Sequence, residues 1–96
     1  MQRNKAKSEV QVDNQQVRIT KYIFQPDDET GMHKHEYDYV ITPIIGGNIL
    51  LIDAKENKNE AILIASESYF RRAGVEHNVI NKSSKVLIFV EIELKK

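Results

Sequence analysis

Apolar and polar residues alternate along most of this chain, and they do so in short runs broken by turn residues. Val10 and Val12 alternate with polar neighbours from Glu9 to Asp13, the signature of a strand with one buried face. Asp13-Asn14 supplies turn chemistry, and Val17, Ile19 and Tyr22-Ile23-Phe24 form a longer strand rich in β-branched and aromatic residues. Gln25 to Gly31, with Pro26 inside it, reads as a loop. A strand is expected from Met32 through Ile41, with Thr42-Pro43 marking an edge or a bulge because proline cannot donate to a ladder. Gly46-Gly47 predicts a tight turn, and Asn48 to Ile52 the strand that returns from it.

The second half repeats this rhythm. Asp53 to Glu60 is a charged surface turn, Ala61 to Ile64 a short strand, and Ser66 to Arg72 a segment holding Tyr69-Phe70. A glycine turn, Ala73-Gly74-Val75-Glu76, precedes a strand over His77 to Asn81. After a turn at Asn81-Ser84, Lys85 to Leu94 closes the chain as its most regular strand. No segment carries apolar residues at i, i+3, i+4 and i+7, so no helix is expected. Strands spaced roughly 8–12 residues apart predict an all-β sandwich or barrel. Residues 1–8 are polar, basic and without periodicity, and read as a disordered or loosely attached terminus; residues 9–96 form one domain.

Composition narrows the function classes. Lysine plus arginine and aspartate plus glutamate number 14 each, so there is no net charge to favour nucleic acid or an anionic membrane. The absence of cysteine excludes disulfides, thiolate metal sites and cysteine nucleophiles. No apolar run approaches the roughly 20 residues of a membrane span, and no apolar signal core follows the first residues, so a cytoplasmic protein without a membrane partner is expected.

The candidate chemistry lies in the three histidines. On a strand, His33 and His35 share a face, with Cα atoms roughly 6.6 Å apart, so both imidazoles can reach one metal ion at about 2.1 Å. By the same parity Tyr37 and Tyr39 face the histidines, whereas Glu36 and Asp38 face away unless a bulge resets the alternation. Glu91 shares parity with Phe89 and is a candidate general base facing the interior. Tyr37 and Tyr69 are candidate pocket-wall aromatics. One of Arg71 and Arg72 should reach the barrel mouth, and Arg72 is the residue taken as the candidate substrate ligand.

The pattern resembles the cupin family. That family's first motif, G-x5-H-x-H-x3-4-E-x6-G, is matched by His33, His35 and Gly46, and its second, G-x5-P-x-G-x2-H-x3-N, by Gly74, His77 and Asn81. The resemblance covers residues 16 to 94 and takes in every histidine. It implies a single-domain jelly-roll β-barrel in which His33, His35 and His77 hold a divalent metal ion (Fe, Ni, Zn, Mn or Cu), and a homodimer. The motif's glutamate falls at Tyr39 and its proline at Arg72. Tyr39 then stands at the fourth position, as a phenolate ligand or as a donor to a metal-bound molecule. The resemblance implies an enzyme acting on a small organic molecule inside the barrel, by oxygenase, isomerase or lyase chemistry. The alternative is a non-catalytic module that binds or senses a small molecule.

Overall fold

A computed structural model describes residues 2–96. Nine strands carry the described residues, with no helix among them: β1 (Lys7–Asp13), β2 (Val17–Phe24), β3 (His33–Lys34), β4 (Asp38–Ile45), β5 (Gly47–Asp53), β6 (Lys58–Leu63), β7 (Tyr69–Arg71), β8 (Glu76–Asn81) and β9 (Leu87–Leu94). They form a five-stranded sheet, β1-β2-β9-β4-β7, and a four-stranded sheet, β3-β8-β5-β6. Every pairing between these strands is antiparallel. The all-β architecture expected from the alternation, and the jelly-roll barrel implied by the resemblance, are what the structure has.

β9 shows why the alternation is so informative. Its residues are buried and half-buried in strict turn, with Leu87, Phe89, Glu91 and Glu93 facing inward. The core gathers Phe24, Tyr39, Ile41, Ile49, Leu63, Val79, Leu87 and Phe89 from both sheets. The opposite face of the larger sheet carries a continuous apolar row beside charged positions such as Lys21. Register sets Val12 beside Ile19, Ile19 beside Ile92, Ile92 beside Val40 and Val40 beside Phe70, a row that crosses all five strands.

Three expectations need correction. The strand expected over residues 32–41 is two strands in different sheets, because the chain bends at Glu36-Tyr37 as it crosses from β3 to β4. Gly46-Gly47 is likewise no hairpin turn: β4 and β5 lie in different sheets, and a Cβ on Gly46 would run into the Leu63 carbonyl. The loosely attached terminus was expected over residues 1–8, of which Met1 lies outside the described residues. Asn4 and Ala6 instead bracket Glu29 with backbone hydrogen bonds, and β1 begins at Lys7. The disturbance expected at Pro43 is present, as a register shift between Pro43 and Ile45 just past the end of β7.

Candidate metal centre

His33 and His77 are direct cross-strand partners in the β3–β8 pair, which brings their side chains together on one face. His35 follows β3 and is held by its own backbone: its amide donates to the Val75 carbonyl at 2.9 Å and its carbonyl accepts from the Gly74 amide at 2.8 Å. Gly74 has φ of +99°, a conformation that side chains rarely adopt, and so the motif glycine serves the turn that pins His35. On the other side, the loop before His33 is laced to β8. Asn78 Oδ1 accepts from the Gly31 amide at 2.9 Å, the Thr30 amide donates to the Val79 carbonyl at 2.9 Å, and Asn78 Nδ2 donates to Glu29 Oε1 at 2.8 Å.

The result is three imidazoles aimed at one point. His33 Nε2 lies 3.0 Å from His35 Nε2, and His35 Nε2 lies 3.2 Å from His77 Nε2. Ligands about 2.1 Å from a shared ion sit roughly 3.0–3.4 Å apart at octahedral or tetrahedral angles, so the spacing fits a bound metal. The tautomer fits as well. His33 Nδ1 donates to the Gly31 carbonyl at 2.8 Å, which leaves the Nε2 lone pair facing the other two rings. Burial, then the neighbouring His33, pulls His35 and His77 down to about 4, so both rings are neutral donors at neutral pH.

Tyr39 supports this centre from beside it. Its ring is 2 % exposed and stacks on His35, and burial pushes its phenol up to about 12, which disfavours a phenolate. The hydroxyl makes no hydrogen bond among the described residues, yet no buried polar side-chain atom is left without a partner, so it opens to the cavity. Glu91 Oε1 sits 3.9 Å from His35 Nδ1, and burial, reinforced by Glu93 and opposed by Arg18, pushes its carboxyl up to about 7. Glu93 is held by a two-pronged pair, with Arg18 Nε and Nη2 donating at 2.8 and 2.9 Å.

The histidines open onto a cavity of about 370 Å³ enclosed by both sheets. Its walls bring together Tyr39, Tyr69 and Glu91 with the three histidines, as the strand parities suggest. Two expected residues fall outside it. Tyr37 is half-buried at the bend between β3 and β4, where the broken strand invalidates its parity. Arg71 and Arg72 are both exposed, and it is Arg71, at the end of β7, that lines the cavity. Parity held the signal for Arg71, since it lies two residues after Tyr69 on one strand. Nor does a bulge turn Glu36 or Asp38 inward: Glu36 is exposed, and Asp38 Oδ1 accepts from the Ala73 amide at 2.7 Å. A groove of about 450 Å³ under β1, lined by Arg18, Thr20 and Lys34, meets His33 and His35 from the other side.

No family model matches the chain. The β-alanine degradation protein BauB of Pseudomonas aeruginosa is 50% identical over 86 residues, which cover 90% of each protein. Among solved structures, a cupin domain from Bordetella pertussis is 44% identical and superposes with a TM-score of 0.94, covering 100% of this chain and 99% of that one. A protein with a double-stranded β-helix domain from Klebsiella pneumoniae, at 17% identity, shares the fold with a TM-score of 0.78 over 95% of this chain and 77% of its own.

Proposed function

Because this chain belongs to the cupin family, we propose that it binds one divalent metal ion through His33, His35 and His77 and acts on a small organic molecule in the barrel. The observation that carries the reading is the convergence of three imidazole Nε2 atoms at the end of a largely apolar cavity. Three imidazole donors suit Fe, Ni, Zn, Mn or Cu and leave coordination positions open. When bound, such an ion supplies Lewis acidity or, if redox-active, activation of O₂.

The chain's own residues supply the remainder. Ile41, Ile49, Leu51 and Phe89 exclude water from the molecule's apolar part. Glu91 borders both the cavity and the outer groove, and its raised pKa suits it to hold or release a proton near neutrality. The Tyr39 hydroxyl is placed to donate a hydrogen bond into the cavity. The name of the P. aeruginosa relative attaches that protein to the breakdown of β-alanine, which is consistent with a small organic molecule as substrate.

A second reading, a module that binds a small molecule without turning it over, is favoured by one observation: neither Glu36 nor Asp38 reaches the histidines as a fourth ligand. A second copy of this chain is the proposed partner under either reading. The apolar row from Val12 to Phe70 is uncharged, so it is its own complement across a two-fold axis, and covering it adds core to a 96-residue protein. The proposed location is the cytoplasm; no helix is long and apolar enough to cross a membrane among the described residues.

Elemental analysis of tag-free protein tests the metal. The reading expects near-stoichiometric metal that is lost in His77→Ala, and a folded wild-type protein that takes up none of these ions would overturn it. Turnover of candidate small molecules by the loaded protein then separates the enzyme from the binding module.

A further inference from the structure

The cavity carries one cation, Arg71, that no described residue neutralises. Arg71 lines it with Cζ 4.5 Å from the Tyr69 ring centroid, and Nη1 donates to the Phe70 carbonyl at 2.9 Å. Among the described residues it makes no ion pair. A guanidinium has five N–H donors in a planar fork, so most of this fork remains free. Arg18 is the contrast, since both prongs of its fork are occupied by Glu93.

Register fixes where this charge lies. Arg71 is opposite Tyr39, which is opposite Glu93, and the adjacent row runs Tyr69, Ile41, Glu91. Arg71 is thus two strands from β9, a backbone separation of about 10 Å. Tyr39 lies between Arg71 and the histidines, since its ring stacks on His35. The walls between the two ends are apolar: Ile41, Ile49, Leu51, Leu63 and Phe89.

We propose that the cavity takes a short organic acid with an uncharged body, its carboxylate held at the mouth by the Arg71 guanidinium. A planar fork meets a carboxylate through two parallel hydrogen bonds, and the Tyr69 ring beneath it fixes the plane. The apolar walls take the body, and a second charge there would be buried without a partner. The far end of the acid points at the histidines. This assignment rests on the reading of the barrel as a small-molecule site and names the class of molecule.

Calorimetric titration of the full chain with hexanoate and with hexanamide tests it, on protein as purified and after chelator treatment. Hexanoate is expected to bind in both forms, and hexanamide at least about tenfold more weakly. Arg71→Gln is expected to weaken hexanoate at least about tenfold, with Arg71→Lys in between and Arg72→Gln unchanged. Arg71→Gln should keep the wild-type metal content and melting temperature. Equal binding of acid and amide, an inert Arg71→Gln, or no hexanoate binding at about 10 mM would each overturn the proposal. Arg71-dependent hexanoate binding by a protein that holds no metal would uphold it while removing the metal reading. Hexanoate binding that vanishes on chelation and ignores Arg71 would place the carboxylate on the metal and overturn this proposal alone.

Discussion

The imidazole of His35 lies flat against the phenol ring of Tyr39, with centroids 3.8 Å apart and planes 16° from parallel. The ring, more than the hydroxyl, is what holds His35 in place. Tyr39→Phe is therefore expected to keep metal affinity within a few-fold and to leave the spectrum of the loaded protein unchanged, whereas Tyr39→Leu weakens the metal about tenfold by freeing His35. A tyrosinate charge-transfer band in the wild-type protein, lost in Tyr39→Phe, would contradict this.

Glu91 makes stability depend on pH in a stated direction. Its carboxyl is pushed up to about 7 by burial, so the folded state holds the proton after the unfolded chain has lost it. The stability it contributes is complete below the unfolded pKa of about 4.5 and is lost as pH rises through 7, on the order of 3 kcal/mol in all. Glu91→Gln removes that loss. In urea denaturation of chelator-treated protein, the variant should gain on wild type by this order between pH 4.5 and 8. His77 titrates in both proteins, and His35, 3.9 Å from Glu91, adds only a smaller change, so a flat difference would count against the burial argument.

Asn81, the last residue of the second motif, is fully buried and acts on the backbone. Its Nδ2 donates to the carbonyls of Phe24 and Lys85 at 3.2 and 2.9 Å, and its Oδ1 accepts from the Ser83 amide at 2.9 Å. Asn81→Ala is expected to cost about 2–4 kcal/mol in denaturant titration and to leave metal content per folded molecule unchanged. Loss of metal from folded variant would assign Asn81 to the site instead.

The apolar row across the outer sheet predicts a dimer. Wild-type protein at micromolar concentration should run as a dimer in size exclusion with light scattering, and Ile92→Lys, at the centre of that row, as a monomer. A wild-type monomer would refute the proposed partner.

How far the sequence reached depended on how regular each strand is. β9 alternates without interruption, and the inward position of Glu91 could be read from Phe89 two residues earlier. His33 and His35 could be read as neighbours because they are two residues apart, whatever the chain does beyond them. Tyr37 could not, since the bend at Glu36-Tyr37 breaks the count and nothing composed of glycine or proline announces it. Gly46-Gly47 misled for a related reason: the pair serves a crossing between sheets where the Leu63 carbonyl approaches, and local sequence does not distinguish that from a hairpin. Asn78 and Thr30, which tie the His33 loop to β8, were not legible at all because their partners are 47 to 49 residues away.

β3 is only two residues long, and among the described residues it pairs with one strand, β8. His33 lies in it and His35 directly after it, so peeling back this one short segment withdraws two of the three nitrogens together. Loading and release of an ion would then follow the local opening of residues 33–35, at a rate set by a few hydrogen bonds, with the barrel intact throughout. Amide hydrogen exchange should report this directly: added metal slows exchange at His35 and Gly74, whose amides bond across the turn, while β2 and β9 exchange as before.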